Sequence, residues 1–326
     1  MGVKLGKYNF KHGLMLAPMA GFSDRAMRKV CYEYGAELSV TEMISAKAVV
    51  FGDRKTEALA AIREDEGPVI LQIFGSEPDI MAKASELLSK GKEGEDCASP
   101  IAIDINMGCP VNKIYNNSEG SALMKRPELI YSIVKATNQA TDLPVTVKMR
   151  LGLDKNSINA IECALAAEEA GAALICLHGR TRVEMYSGEA HLDEIAKVKK
   201  CLQIPLIANG DVVDGVSALR ALALTGADGI AIGRGAVGNP FVFSEVVSAL
   251  EGQTYTSPSF SHRINTAIYQ LSLAVEDKGE RVAVREARGQ IAQYIRAFSG
   301  AAAIRNSINR AESFEEVKEI LLSSLK

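Results

Sequence analysis

Short apolar runs rich in Val, Ile and Leu recur through the first 235 residues, at 14–17, 38–41, 69–73, 102–105, 145–148, 174–177, 206–208 and 229–232. Each is followed by a helical pattern, and that alternation predicts a parallel sheet with crossover helices. Eight such strands close a barrel, so the expected architecture is an α/β fold of the (β/α)8 TIM-barrel type. An open doubly wound sheet would normally have fewer strands and a GxGxxG turn after the first, and none follows 14–17.

The periodicity breaks at the turn-rich segment 252–259. Beyond it Ile264, Ile268, Leu271 and Val275, then Ile291, Tyr294, Ile295 and Phe298, then Phe314, Val317, Ile320, Leu321 and Leu325 recur at helical spacing. Two units are therefore expected: a barrel over 1–250 and a small helical bundle over 258–326.

Each predicted strand ends in a polar or glycine-bearing cluster: Pro18-Met19-Ala20-Gly21, Glu42-Met43, Gln72 to Gly75, Asn106 to Pro110, Lys148-Met149-Arg150, His178 to Thr181, Asn209-Gly210-Asp211 and Gly233-Arg234-Gly235. In a β/α barrel these ends share one face, where such barrels place their chemistry. The clusters after the seventh and eighth strands match the usual phosphate site, with Gly210 and Gly233 letting backbone N–H groups approach and Arg234 adding a bidentate cation. Gln72, Lys148 and His178 are the donors that a flavin ring would need. Taken singly, each could equally be a satisfied core amide, a capping lysine or a hydrogen-bonded imidazole.

Composition narrows the partners. A net charge of −3 over 326 residues does not announce a polyanion, but residues 281–310 hold six arginines (281, 285, 288, 296, 305 and 310) against the single acid Glu286. That basic patch is expected on the bundle. The six cysteines show no CxxC pair and the four histidines no ligand spacing, so neither a disulfide framework nor a metal site is indicated. A basic start without an apolar core, and no run of about 18 apolar residues, point to a cytoplasmic protein with no membrane partner. Cys109 stands apart from the other thiols. It sits in a turn between Gly108 and Pro110 and opens a long polar stretch, 111–120. With an ordinary thiol pKa and no evident histidine partner, it is suited to act as a general acid rather than a nucleophile.

The strings Ala17-Pro18-Met19-Ala20-Gly21-Phe22-Ser23-Asp24, Leu71-Gln72-Ile73-Phe74-Gly75, Asp104-Ile105-Asn106-Met107-Gly108-Cys109-Pro110, His178-Gly179-Arg180-Thr181-Arg182 and Asn209-Gly210-Asp211 together resemble the tRNA-dihydrouridine synthases, most closely the bacterial B type. The resemblance spans barrel and tail. It implies bound FMN, NADPH as a transient reductant, and reduction of particular tRNA uridines to 5,6-dihydrouridine. It further implies that Pro18, Met19, Ala20, Gln72, Lys148, His178, Asn209, Gly210, Asp211, Gly233 and Arg234 hold FMN. Cys109 would protonate carbon 5 of the uracil as hydride reaches carbon 6, and Asn106 and Arg180 would contact the flipped base. Arg288, in the basic tail, is expected to bind tRNA. Where the family pattern would read Arg-Lys-His and then an aromatic pair, this chain has Arg288-Gly289-Gln290 and then Gln293-Tyr294. Two other readings are a flavin barrel acting on a free pyrimidine, of the dihydropyrimidine or dihydroorotate dehydrogenase kind, and a flavin- or RNA-binding protein without activity.

Overall fold

The computed structural model describes residues 2–91, 97–296, 298 and 300–325. Met1 and Lys326, the outer limits of the two expected units, lie outside the described residues.

All eight expected strands form. After an N-terminal hairpin of β1 (Val3–Leu5) and β2 (Tyr8–Phe10), the barrel begins with β3 (Leu14–Leu16) and β4 (Leu38–Val40). A two-residue strand, β5 (Ile44–Ser45), precedes β6 (Val69–Phe74), β7 (Ala102–Met107), β8 (Val145–Arg150), β9 (Leu174–His178), β10 (Leu206–Asn209) and β11 (Gly229–Ile232). Neighbours pair in parallel from β6 through β11 to β3 and β4, and the β4–β6 pairing closes the ring. β5 adds only a short pairing to β6.

Side chains alternate across each strand, so one residue in two points inward. Near the strand starts the inward set is apolar: Met15, Leu38, Ile70, Ala102, Leu174, Ile207 and Ala231 form one cluster with Val3, Leu5 and Phe10. The hairpin is therefore a plug that covers the bottom of the barrel with its own apolar side chains. One layer higher the inward positions turn polar, and at the same period carry Gln72, Asp104, Asn106, Thr146, Lys148, His178 and Asn209. The second apolar layer, between the strands and the outer helices, spans most of the barrel wall. Together the two layers leave the upper barrel as the place where polar groups concentrate.

Residues 253–259 carry no regular structure and lead into helices Phe260–Lys278, Glu280–Ile291, Ala301–Arg310 and Phe314–Ser323. Ile264, Leu271, Ile291, Tyr294, Ile295, Val317 and Leu321 share their core, but the expected positions Phe298 and Leu325 are exposed. After Ile291 the chain continues in i→i+3 turns rather than an α-helix, which turns Phe298 away from the core. The bundle is fastened to the barrel at helix Arg25–Glu33. Ala26 and Val30 pack with Leu273, Ala274 and Ala283, and Arg25 pairs with Asp277 at 2.8 Å, as Asp24 does with Lys278. Gln290 reaches across to donate to the carbonyls of Gly21 and Phe22 at 3.3 and 3.2 Å.

Candidate functional site

The polar layer is a connected ladder. Asp104 on β7 accepts from Thr146 Oγ1 on β8 at 2.6 Å and from Gln72 Nε2 on β6 at 2.7 Å. Gln72 Oε1 accepts from Asn106 Nδ2 at 2.8 Å, and Asn106 Oδ1 accepts from the backbone N–H groups of Gly108 and Cys109 at 3.2 and 2.9 Å. Gln72 and Asn106 are both buried. Burial pushes the Asp104 carboxyl up to about 6, opposed by its bonds to Thr146 and Gln72 and by the charge of Lys148.

Above the ladder, the Cys109 turn is held through its backbone. Arg150 Nε donates to the Gly108 carbonyl at 2.9 Å, while Ser121 donates to the Cys109 carbonyl from both its amide and its hydroxyl, at 3.1 and 2.8 Å. Gly120, at φ +59°, lies so close that an added Cβ would stand 3.0 Å from Cys109 Cβ. Burial raises the thiol's pKa, against a backbone hydrogen bond from Val111 and the nearby Arg150 charge. Cys109 is thus a protonated thiol at neutral pH. The expected long polar loop at 111–120 is instead largely built: a short helix, Asn112–Asn116, buries Ile114. Arg182 clamps that helix by donating to Asn112 Oδ1 at 2.7 Å and stacking its guanidinium 3.6 Å from the Tyr115 ring centroid.

The opposite character prevails on β8 to β11, where cations gather. Lys148 is half-buried, lining the mouth; it donates to Asn209 Oδ1 at 3.0 Å, and Asn209 Nδ2 in turn donates to the Ala231 carbonyl at 2.8 Å. Desolvation lowers the pKa of Lys148, and no carboxylate forms an ion pair with it among the described residues. His178 lies beside it. Desolvation, then the charges of Lys148, Arg150, Arg180 and Arg234, drive the imidazole pKa far down, so His178 is neutral. Asp211, at φ +53°, binds Arg180 at 2.7 Å and Arg234 at 3.4 Å. Four cations therefore surround a neutral imidazole and one carboxylate. Tyr186, 52% exposed, lies among them, its ring centroid 5.0 Å from Arg234 and 5.5 Å from Arg150.

The titration of His178 has a sign that can be checked. The folded state keeps the ring neutral while the unfolded chain takes up a proton near the ordinary value of 6.5, so stability is lost as pH falls below 6.5. Asp104 acts in the other direction, because its folded pKa of about 6 exceeds the ordinary 3.8 and its contribution is lost as pH rises through that window. A His178→Gln chain should therefore lose less thermal stability than the wild type between neutral pH and about pH 5.5. Parallel melting curves for the two chains would show the imidazole to be protonated in the fold.

Several expected residues take other positions from those their sequence neighbourhood implied. Arg180 is only 1% exposed; its guanidinium donates to the carbonyls of Ser187 and Gly188 at 3.0 and 2.6 Å as well as to Asp211. It is a clamp beneath the 181–190 loop, without a face open to the mouth. Arg288 donates to the Ala311 carbonyl at 2.7 Å and ties its helix to the C-terminal end of helix Ala301–Arg310, with Nε buried and unpartnered. Of the other five arginines of this patch, 281, 285, 296 and 310 are exposed and 305 is half-buried. Gly210, at φ +136°, would bring a Cβ within 2.6 Å of Ala190 Cβ, so its lack of a side chain serves packing of the protein on itself. A Cβ at Gly233 would make only ordinary contacts, with Met19 Sδ at 3.4 Å and Ala17 Cβ at 3.8 Å, which leaves that backbone open beside Met19. Arg234 remains half-exposed, donating to the Tyr186 carbonyl at 3.4 Å.

Arg150 and Tyr186 carry more of the site than their sequence signals suggested. Arg150 was visible as a polar strand end, but its grip on Gly108, Thr181 and Met185 depends on two loops that only the fold brings together. Glu184 is similar, accepting from Thr181 N at 2.7 Å and from His191 at 2.8 Å, so that it shapes the loop carrying Tyr186. Among the described residues no cluster of three or more potential ligands could hold a metal, and no helix is long and apolar enough to cross a membrane.

Comparison with known proteins gives one answer in sequence and a broader one in structure. The family profile described as dihydrouridine synthase (Dus) matches residues 15–326. The chain is 37% identical over 319 residues to a probable tRNA-dihydrouridine synthase of Rickettsia conorii, covering 97% of this chain and 94% of the relative. It is 36% identical over 321 residues to tRNA-dihydrouridine synthase B of Vibrio cholerae, covering 98% and 97%. Among solved structures it resembles the old yellow enzyme homologue of Zymomonas mobilis, at TM-score 0.54 and 14% identity over 80% of this chain and 95% of that one. Morphinone reductase is matched at TM-score 0.53 and 14% identity over 80% and 91%. At such identities these structures share only the barrel fold, whereas the matches in sequence run through thiol turn, cationic mouth and helical tail alike, and the chain belongs to the dihydrouridine synthase family.

Proposed function

We propose that this protein reduces specific uridines of tRNA to 5,6-dihydrouridine, using bound FMN and NADPH. The observation that carries the reading is the pairing, on one barrel mouth, of a protonated thiol at Cys109 with a wall of cations that outnumber the carboxylate Asp211 among them. That wall fits an anionic, carbonyl-bearing ligand such as FMN. Lys148 supplies an ammonium without an ion-pair partner, and the half-exposed Arg234 with the open backbone at Gly233 suits a phosphate. Pro18, Met19 and Ala20 are half-buried to exposed, with Met19 against Gly233, and offer a surface for a flat ring. Gln72, His178, Asn209, Gly210 and Asp211 complete the set, the first three by fixing donors and acceptors along its inner edge.

When bound, FMN supplies to carbon 6 of the uracil a hydride drawn from NADPH. The chain's own part is the proton. Cys109 S–H gives it to carbon 5, the 5,6 double bond becomes a single bond, and the thiolate left behind regains a proton from solvent. Nearby Arg150 favours that thiolate while it lasts. Asn106 has an amide hydrogen beyond the one given to Gln72 and can present it to the base. Arg180 serves the substrate through the loop it clamps, and Tyr186 offers an exposed ring on which a flipped base can stack. The exposed bundle arginines suit RNA phosphates, and Arg288 contributes by holding its helix to the one that follows.

Position-resolved mapping of dihydrouridine in tRNA, with and without the gene and after adding back purified yellow protein, tests the reading. Loss at defined positions, restored by the protein, is expected. Unchanged dihydrouridine at every position would sink it, and turnover of free uracil or orotate at rates comparable to tRNA would transfer the assignment to a free pyrimidine.

A further inference from the structure

The hydrogen-bond ladder below Cys109 has a direction, demanded from both of its ends, and Asp104 is the side chain that demands it from below. Ionised Asp104 has only acceptors to offer, and its two oxygens are taken by Thr146 Oγ1 and Gln72 Nε2 at 2.6 and 2.7 Å. Since only the nitrogen end of an amide can face a carboxylate in this way, the oxygen of Gln72 must point toward Asn106. Asn106 must then turn its nitrogen to Gln72 and its oxygen upward, where it meets the N–H groups of Gly108 and Cys109. The top of the ladder makes the same demand, because two backbone donors require an acceptor. Reversing either amide would set donor against donor, at a cost that buried polar groups do not tolerate well.

We propose that Asp104 is a positioning residue for Cys109. Acting through Gln72 and Asn106, it selects the amide orientations that hold the Gly108-Cys109 turn and so fixes the thiol at the mouth. Its link to catalysis rests on the uridine-reduction reading above; its effect on the thiol does not. Asp104 is 3% exposed and is bonded to wall residues only, so its part is to orient rather than to react.

The test uses the full chain as purified, at matched flavin content. Asp104→Asn keeps the shape, but an asparagine can face Gln72 with either its oxygen or its nitrogen, so the ladder loses the constraint from below and only the backbone donors at its top still favour the observed orientations. Cys109 is followed by iodoacetamide alkylation and peptide mass spectrometry, with the exposed Cys201 of the same chain as internal reference. The Cys109-to-Cys201 rate ratio should rise about tenfold as the turn loosens and the thiol gains solvent. The kcat for tRNA uridine reduction should fall about tenfold to a hundredfold with KM for tRNA within about twofold, as for a misplaced reacting group. A folded Asp104→Asn chain whose alkylation ratio stays within about twofold of wild type overturns the proposal. If that variant does not fold, Gln72→Met cuts the ladder one link further on and must raise the ratio similarly; no rise there overturns it as well. A wild-type chain that fails to reduce tRNA uridine would overturn the functional reading and leave the alkylation ratio to decide the role of Asp104.

Discussion

Replacing Cys109 with alanine is expected to leave a folded yellow protein that still accepts electrons from NADPH but reduces tRNA uridine about 10²- to 10⁴-fold more slowly, the usual range for losing a positioned general acid. Fold and flavin should survive because the side-chain bonds that hold the turn go to its backbone atoms, from Asn106 to the amides, Arg150 to the Gly108 carbonyl and Ser121 to the Cys109 carbonyl, and only the Val111 N–H bond to the thiol is lost. The substitution removes only Sγ. Single-turnover mixing of pre-reduced protein with tRNA isolates the affected step, while flavin reduction by NADPH serves as control. Serine at 109 should recover little, since its hydroxyl is a far weaker acid than the thiol, whose burial already keeps it protonated at neutral pH. An alanine chain that oxidises its flavin with tRNA within a few-fold of the wild-type rate would remove Cys109 from the mechanism.

The barrel was legible because its strands are buried on both sides and therefore read as uninterrupted apolar runs, with polar residues marking where each one reaches the mouth. The N-terminal hairpin was not read, although Val3-Lys4-Leu5 and Tyr8-Asn9-Phe10 alternate about Gly6-Lys7 and end in antiparallel register. Three-residue strands are too short to stand out, and only the open barrel floor gives their apolar faces something to cover. At the mouth the residue types were legible but not their partners. Gln72 and Asn106 were visible as amides at strand ends, whereas their direction depends on Asp104, 32 residues from Gln72 in sequence and beside it only through β6–β7 register. Arg180 and Arg288 look in sequence like cations offered to a ligand; in the fold each donates to a carbonyl of its own chain. Guanidinium groups serve both ends, and sequence does not say which way they turn.

The tail shows the same effect at the scale of a domain. Gln290 and Tyr294, at positions where the family pattern would lead one to expect basic or aromatic RNA contacts, are both buried. Tyr294 donates to Gln270 at 2.6 Å, Gln270 donates to Gln290 at 2.6 Å, and Gln290 donates to the loop that follows β3. The same loop is gripped from the barrel side, where Glu42 accepts from Gly21 N. Residues of the bundle thus help to shape the segment, Pro18 to Gly21, that flanks the proposed ring site. Placement of the bundle and geometry of the mouth are consequently one problem for this sequence rather than two.

Lys148 should show the opposite balance from Cys109, with ligand binding lost and stability gained. It is a cation drawn partly out of water, bonded to a neutral amide at 3.0 Å and flanked by Arg150, while the nearest carboxylate effect, from Asp104, is slight beside the desolvation that lowers its pKa. Such a charge opposes folding until a ligand faces it. Lys148→Met keeps the length and apolar stem and removes the charge, so the flavin-free variant should be more stable than flavin-free wild type by about 1 kcal/mol, or about 2–4 °C in Tm. A charged hydrogen bond to the ligand is worth about 1.5–3 kcal/mol, so FMN should bind about tenfold to a hundredfold more weakly. The two chains should therefore exchange rank when melted with saturating FMN, because only the wild type gains the full stabilisation that tight ligand binding confers. Differential scanning of both chains with and without added FMN measures this directly. A variant that is less stable without flavin yet binds it as tightly as wild type would show that Lys148 is there to support the wall, and that the cationic mouth serves something other than the flavin.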